Sequence, residues 1–91
     1  MAIIVFDVDG TLMTYNDKPR EDIIATLKLL HKLGNRILVH SGGGKDYARH
    51  WVEKLYLQDY VTSVHAKGDA GEVDIAFDDE FVEFGSVNIK V

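Results

Sequence analysis

Ala2-Ile3-Ile4-Val5-Phe6-Asp7-Val8-Asp9-Gly10-Thr11-Leu12 carries five apolar residues without interruption into two carboxylates and a glycine. The apolar run is continuous rather than alternating, which predicts a central β-strand covered on both faces. Asp7 and Asp9 straddle one residue, so an extended backbone points both side chains to the same side. Gly10 lets the chain turn sharply and present both carboxylates at the strand tip. One carboxylate there can attack an electrophile while the second handles the proton. The bland alternative is an Asp-Gly turn. A calcium-binding EF-hand loop, which also begins D-x-D-G, fails because Thr14, Tyr15 and Asn16 do not continue its ligand pattern and no helix precedes it.

Outward from this segment, residues from Asp9 to Lys18 are polar and turn-like. Pro19 suits the first turn of a helix whose acids, Glu21 and Asp22, lie near its positive end. Ile23, Leu27 and Leu30 recur at helical spacing, flanked by Ile24 and Leu33, and Gly34 is a natural stop. Arg36 to His40 reads as a second strand, closed by Ser41-Gly42-Gly43-Gly44. A second helix follows, on which Tyr47, Trp51 and Leu55 share a face with Ala48 and Val52. Tyr60 to Val64 reads as a third strand and Val73 to Phe77 as a fourth, ending at Asp78-Asp79. Val87 to Val91 alternates as an edge strand would. This order begins with two crossover units, which predicts a Rossmann-like three-layer α/β domain around a mainly parallel five-stranded sheet. Ligands bind such sheets outside the carboxyl ends of the strands. The first, second and fourth strands end in Asp7/Asp9, Ser41 and Asp78/Asp79, so three polar clusters converge on one place.

Ninety-one residues make one domain at most, here taken as 1–91. Hydrophobic residues at 46% and charged residues at 27% exclude a disordered or collagenous chain. The longest apolar run, Met1 to Phe6, is far short of the about 20 residues that span a membrane, and no secretory leader is visible. With no cysteine, disulfide scaffolds, cysteine metal sites and thiol nucleophiles are excluded, and the expected location is the cytoplasm. A net charge of −5 argues against a general nucleic-acid binder, which would present a basic face. Setting aside Asp7, Asp9, Asp78 and Asp79 leaves eleven acidic residues against ten basic ones. Most of the net charge thus belongs to one site, and such a site needs a cation. The Gly42-Gly43-Gly44-Lys45 stretch is not a P-loop, because that motif needs Gly where Val39 stands and Ser or Thr where Asp46 stands. His31, His40, His50 and His65 share no metal-ligand spacing and read as structural or surface residues. Tyr47 and Trp51 read as core-facing.

In these segments the sequence resembles the haloacid dehalogenase superfamily of phosphohydrolases. The family's first motif, D-x-D-G-T-[LV], is matched by Asp7 to Leu12. Its second, a Ser or Thr after an apolar strand, is matched by Ile37-Leu38-Val39-His40-Ser41-Gly42. Its third, a Lys, is matched by Lys67, and its fourth, a carboxylate pair after another apolar strand, by Asp78-Asp79. The resemblance implies a phosphatase in which Asp7 is the nucleophile and Asp9 the general acid and base. It implies Mg²⁺ held by Asp7, the Asp9 backbone carbonyl and Asp78, with Asp79 acting through a bound water. Ser41, Lys67 and backbone N–H groups near Gly42 and Gly10 would hold phosphate oxygens. Thr11 is a hydrogen-bond donor behind them.

The chain also departs from the family's pattern. Neither the gap from Leu12 to Lys18 nor that from Ser41 to Lys67 is long enough for a cap domain, and Lys67 to Asp78 is too short for the usual intervening helix. A capless site is open. It implies a phosphorylated small molecule or a bulkier phosphorylated substrate, the open site preferring the bulkier one or being roofed by a neighbouring subunit of a homo-oligomer. The alternative function is a catalytically silent module that binds Mg²⁺ and phosphate, against which the retained Asp9 weighs. A receiver-like phosphoacceptor domain uses similar residues in a different order. Ser41 could equally cap the second helix.

Overall fold

A computed structural model of residues 1–91 contains, in chain order, β1 (Ile3–Asp7), α1 (Glu21–Lys32), β2 (Arg36–Ser41), α2 (Lys45–Lys54), β3 (Ser63–Ala66), β4 (Val73–Asp78) and β5 (Gly85–Lys90). The strands form one sheet in the order β3-β2-β1-β4-β5, and all four pairings are parallel. The uninterrupted apolar run therefore lies where its pattern predicts. β1 is the middle strand, hydrogen-bonded on both sides, and Ile4 to Asp7 are buried. No helix is long and apolar enough to cross a membrane.

The chain steps from β1 to β2 to β3 in one direction, through α1 and α2. Right-handed crossovers that advance the same way place their helices on the same face of the sheet. Accordingly Ile23, Ile24 and Leu27 of α1 and Ala48, Trp51 and Val52 of α2 enter one cluster of 15 buried residues with Ile4, Phe6, Ile37, Val39 and Phe77 of the strands. The Phe6 and Phe77 rings stack there, 4.6 Å apart. The step to β4 reverses direction, and a helix on that connection would cover the opposite face. No helix lies there. Instead Val5, Leu38, Val73 and Ala76 form a second cluster of four buried residues, against which Ala70 and Val82 pack from the segments 67–72 and 79–84. The third layer expected from the sequence is thus made of connecting chain rather than of helix.

Three boundaries differ from the sequence reading. Tyr60 and Val61 belong to a turn, their amides bonded to the Leu57 carbonyl, and the ladder begins only after Thr62 N–H reaches Ile37 at 2.8 Å. Pro19 precedes α1 and forms an isolated bridge with Met13 instead of opening the helix. β5 starts at Gly85 and is an edge strand as expected, but Val87 and Ile89 stay exposed because no helix covers that half of the sheet. A parallel neighbour ordinarily needs a crossover of a dozen or more residues, whereas only residues 79–84 join β4 to β5. They run back over the sheet, where Val82 packs on the small cluster.

Candidate active site

The strand order reverses between β1 and β4, and this switch point is where open α/β sheets bind ligands. Phe6 pairs with Phe77, so the next residues, Asp7 and Asp78, end adjacent strands side by side. On the other side of Asp7 its register partner is His40. Each of these three lies two residues beyond a member of the small cluster (Val5, Ala76 and Leu38), so all three side chains emerge on the face without helices. Asp7, His40 and Asp78 are 4%, 1% and 0% exposed, and one ligand atom from each lies within 4.8 Å of the others.

Lys67, the first residue after β3, reaches this group. Its ammonium lies 2.9 Å from Asp78 Oδ2 and 3.5 Å from Asp7 Oδ1. Its own amide donates to the Ser41 carbonyl at 2.9 Å, which fixes where the side chain starts. Thr11 is fully buried, and its hydroxyl donates to Asp7 Oδ2 at 3.4 Å. The Glu80 amide donates to Asp78 Oδ1 at 2.9 Å.

Two like charges in so little water are costly. Burial first, and then the Asp78 charge, push Asp7 up to about 7, with Lys67 opposing. Burial would lower the Lys67 ammonium, but the bonds and charges of Asp78 and Asp7 outweigh it and raise its pKa. Burial and the Lys67 charge bring His40 down to about 4, so its imidazole is neutral. His40 Nδ1 faces the Gly68 amide at 3.5 Å, while Nε2 is buried without a partner.

The second carboxylate of each pair is turned elsewhere. Asp9 Oδ1 accepts from the Tyr47 hydroxyl at 2.8 Å, and Asp79 Oδ2 accepts from the Tyr15 hydroxyl. That bond pushes the Tyr15 phenol up to about 12. Gly10 has φ +80°, and a Cβ there would collide with the Asp79 carboxylate and the Tyr15 ring. Its role is steric. Its own N–H is bonded to the Met13 carbonyl at 2.7 Å. Thr11 likewise touches Asp7 and not the open surface. Ser41 is buried and its Oγ accepts from the Gly43 amide at 3.0 Å. It therefore does not cap α2, whose N-cap is Gly44 without a side-chain bond. Gly42 is exposed beside it.

A sequence profile described as haloacid dehalogenase-like hydrolase matches residues 4–68. The chain belongs to that family. The matched span carries Asp7, Asp9, Ser41 and Lys67, while Asp78 and Asp79 lie beyond it. Searches of curated proteins and of solved structures returned no match. Within the hydrolase fold, sequence reasoning missed three residues that touch the site. His40 was read as one of four unrelated histidines, although its place two residues beyond Leu38 on a strand next to β1 could have marked it. Tyr15 carries no spacing signal, and the helical spacing of Tyr47 marks its ring as core-facing but says nothing of its hydroxyl. Arg20, just ahead of α1, also escaped notice. It donates to the Gly10 carbonyl at 3.0 Å and the Val91 carbonyl at 2.9 Å, tying the turn after β1 to the end of β5.

Proposed function

We propose that this hydrolase is a Mg²⁺-dependent phosphomonoesterase that works through an aspartyl-phosphate on Asp7. The observation that carries this reading is the buried pair Asp7–Asp78, bridged by Lys67 at the switch point of the sheet. Buried like charges are tolerated when a cation is intended to join them. The donor set fits Mg²⁺ through the Asp7 and Asp78 oxygens, which are hard ligands, and the Asp9 carbonyl accepts no hydrogen bond that would occupy it. The His40 nitrogens are not ligands that Mg²⁺ prefers, and Asp79, held by Tyr15, is free to act only through water. Bound Mg²⁺ would neutralise the carboxylates and polarise the phosphoryl oxygens.

The chain's own residues account for the rest. An Asp7 oxygen forms a bond to phosphorus as the ester oxygen leaves with its electron pair, and Asp9 gives that oxygen a proton. A water molecule then attacks phosphorus, gives its proton to Asp9 and releases Asp7 with inorganic phosphate. Lys67, Ser41 and the Gly42 N–H hold the remaining phosphate oxygens. No enclosed cavity surrounds Asp7. The larger grooves, of about 410 and 460 Å³, lie beside α2 and β3 and near the start of β5. The open mouth suits a bulky phosphorylated substrate, or a neighbouring subunit as a roof.

The test is phosphate release from a panel of phosphomonoesters with Mg²⁺ and with EDTA. Activity with Mg²⁺ alone, abolished in a folded Asp7→Asn protein, supports the reading. Turnover retained in that variant removes Asp7 as nucleophile. If folded wild type and Asp9→Asn both bind Mg²⁺ and a phosphate analogue but hydrolyse nothing, the chain is a binding module.

A further inference from the structure

We propose that Tyr47 is a positioning residue for Asp9, holding its carboxylate by one oxygen so that the other alone exchanges the proton; this rests on the phosphatase reading above. The contact joins two parts of the chain 38 positions apart, the turn after β1 and the first turn of α2. It is also the only side-chain partner of Asp9, since the ion pairs of the molecule all involve other carboxylates. A carboxylate at a strand tip can rotate about its terminal bond, and only some of its rotations aim an oxygen at a leaving group. A hydroxyl donated to Oδ1 at 2.8 Å removes that freedom and leaves Oδ2 as the free oxygen.

The loop is built to put the ring there. Gly43 stands one helical turn before Tyr47, and a Cβ on Gly43 would lie 2.9 Å from the Tyr47 Cγ and Cδ2 atoms and 3.2 Å from its Cβ. Atoms so near the backbone cannot swing aside. Gly43 is therefore the space the ring occupies, which gives the glycine-rich stretch a purpose distinct from a phosphate cradle. Tyr47 itself is half-buried against the large cluster, so its ring is packed as well as its hydroxyl bonded.

The experiment separates the proton from the packing. Tyr47→Phe keeps the ring and removes one oxygen, and it is compared with wild type on an alkyl phosphate and on 2,4-dinitrophenyl phosphate with saturating Mg²⁺. The alkoxide leaving group needs a proton and the dinitrophenolate does not. Expected is a roughly tenfold loss of kcat on the alkyl ester with KM unchanged, and an unchanged first-turnover burst of dinitrophenolate. Gly43→Ala, which keeps the hydroxyl but crowds the ring, should give the same selective loss, and it serves as the readout if Tyr47→Phe does not fold. Equal losses on the two esters, or no loss on either, overturn the role of Tyr47 and leave the phosphatase reading standing. A wild-type protein that releases phosphate from neither ester overturns both.

Discussion

The two faces of the sheet are made from the same strands and do different work. On one, two helices seal a cluster of 15 buried residues that is almost wholly apolar. On the other, four buried apolar residues lie under connecting chain, and beyond them runs a polar row, His65–His40–Asp7 and Asp78–Lys90, in register across the strand ends. The helix face holds the strands in place. The other face, freed from that duty by the handedness of the crossovers, can keep charges close together at its upper edge. Thin cover makes this possible, because Lys67, just after β3, reaches the group and bridges Asp7 and Asp78.

Matched truncations measure the difference most directly. Leu27→Ala, fully buried on the inner face of α1, should cost about 4 kcal/mol, and Leu38→Ala, on the thin face, about 2 to 3 kcal/mol, because the connecting chain can settle into the space. Urea denaturation of both variants checks this, and equal losses would mean that the thin face packs as tightly as the thick one. Next in size, Mg²⁺ at about a hundred times its dissociation constant should stabilise the protein by about 2.7 kcal/mol, read as a rise in melting temperature. Asp78→Ala should remove most of that rise. An undiminished shift would place the cation elsewhere.

Acidity gives a subtler signature of the polar row. Folded Asp7, titrating near 7 against 3.8 in the open chain, keeps a proton that the unfolded state releases, so its contribution to stability falls as pH rises from about 4 to about 7. Folded His40, near 4 against 6.5, refuses a proton that the unfolded state takes up, so its contribution rises with pH from about 4 to 6.5. In EDTA the two slopes oppose each other, and wild-type stability should be nearly flat from about pH 4.5 to 6. Asp7→Asn should unmask a rise, and His40→Gln a fall, each of at most about 1.4 kcal/mol per pH unit. Melting curves across that range decide it, and a flat profile in either variant would show that its partner is not shifted. Smallest of all, Tyr15→Phe should change stability by less than about 1 kcal/mol, since its bond to Asp79 sits at an exposed ring.

Much of this was legible in the sequence because it depends on pattern along single segments. Apolar runs that end in Asp7, Ser41 and Asp78 announce buried parallel strands with polar tips, and the order of helices and strands fixes where those tips meet. What stayed hidden depends on relations between segments. That both helices share one face follows from β1, β2 and β3 advancing in one direction across the sheet, visible only once the sheet order is known. His40 looks like any buried histidine until β2 is laid beside β1. The bonds of Tyr15 to Asp79 and Tyr47 to Asp9 link positions 64 and 38 residues apart, and no periodicity encodes them. The early start expected for β3 failed for a local reason, since Tyr60 and Val61 are apolar but spend their amides on the Leu57 carbonyl.

The return segment 79–84 sets a limit on length. From Asp78 the chain must travel back beside β4 to Gly85, which pairs with Val73. At about 3.3 Å per residue that path is roughly 17 Å, and a chain reaches at most about 3.3–3.6 Å per residue. The segment thus has about two residues of slack. Extra residues cost little, as in any surface connection, but removing more than about two leaves too little chain to close the distance. The strain would fall on its two ends, Asp79 and Gly85. This is a surface loop that tolerates growth and not shrinkage, and the direction of that tolerance is dictated by a strand beside it rather than by any residue within it.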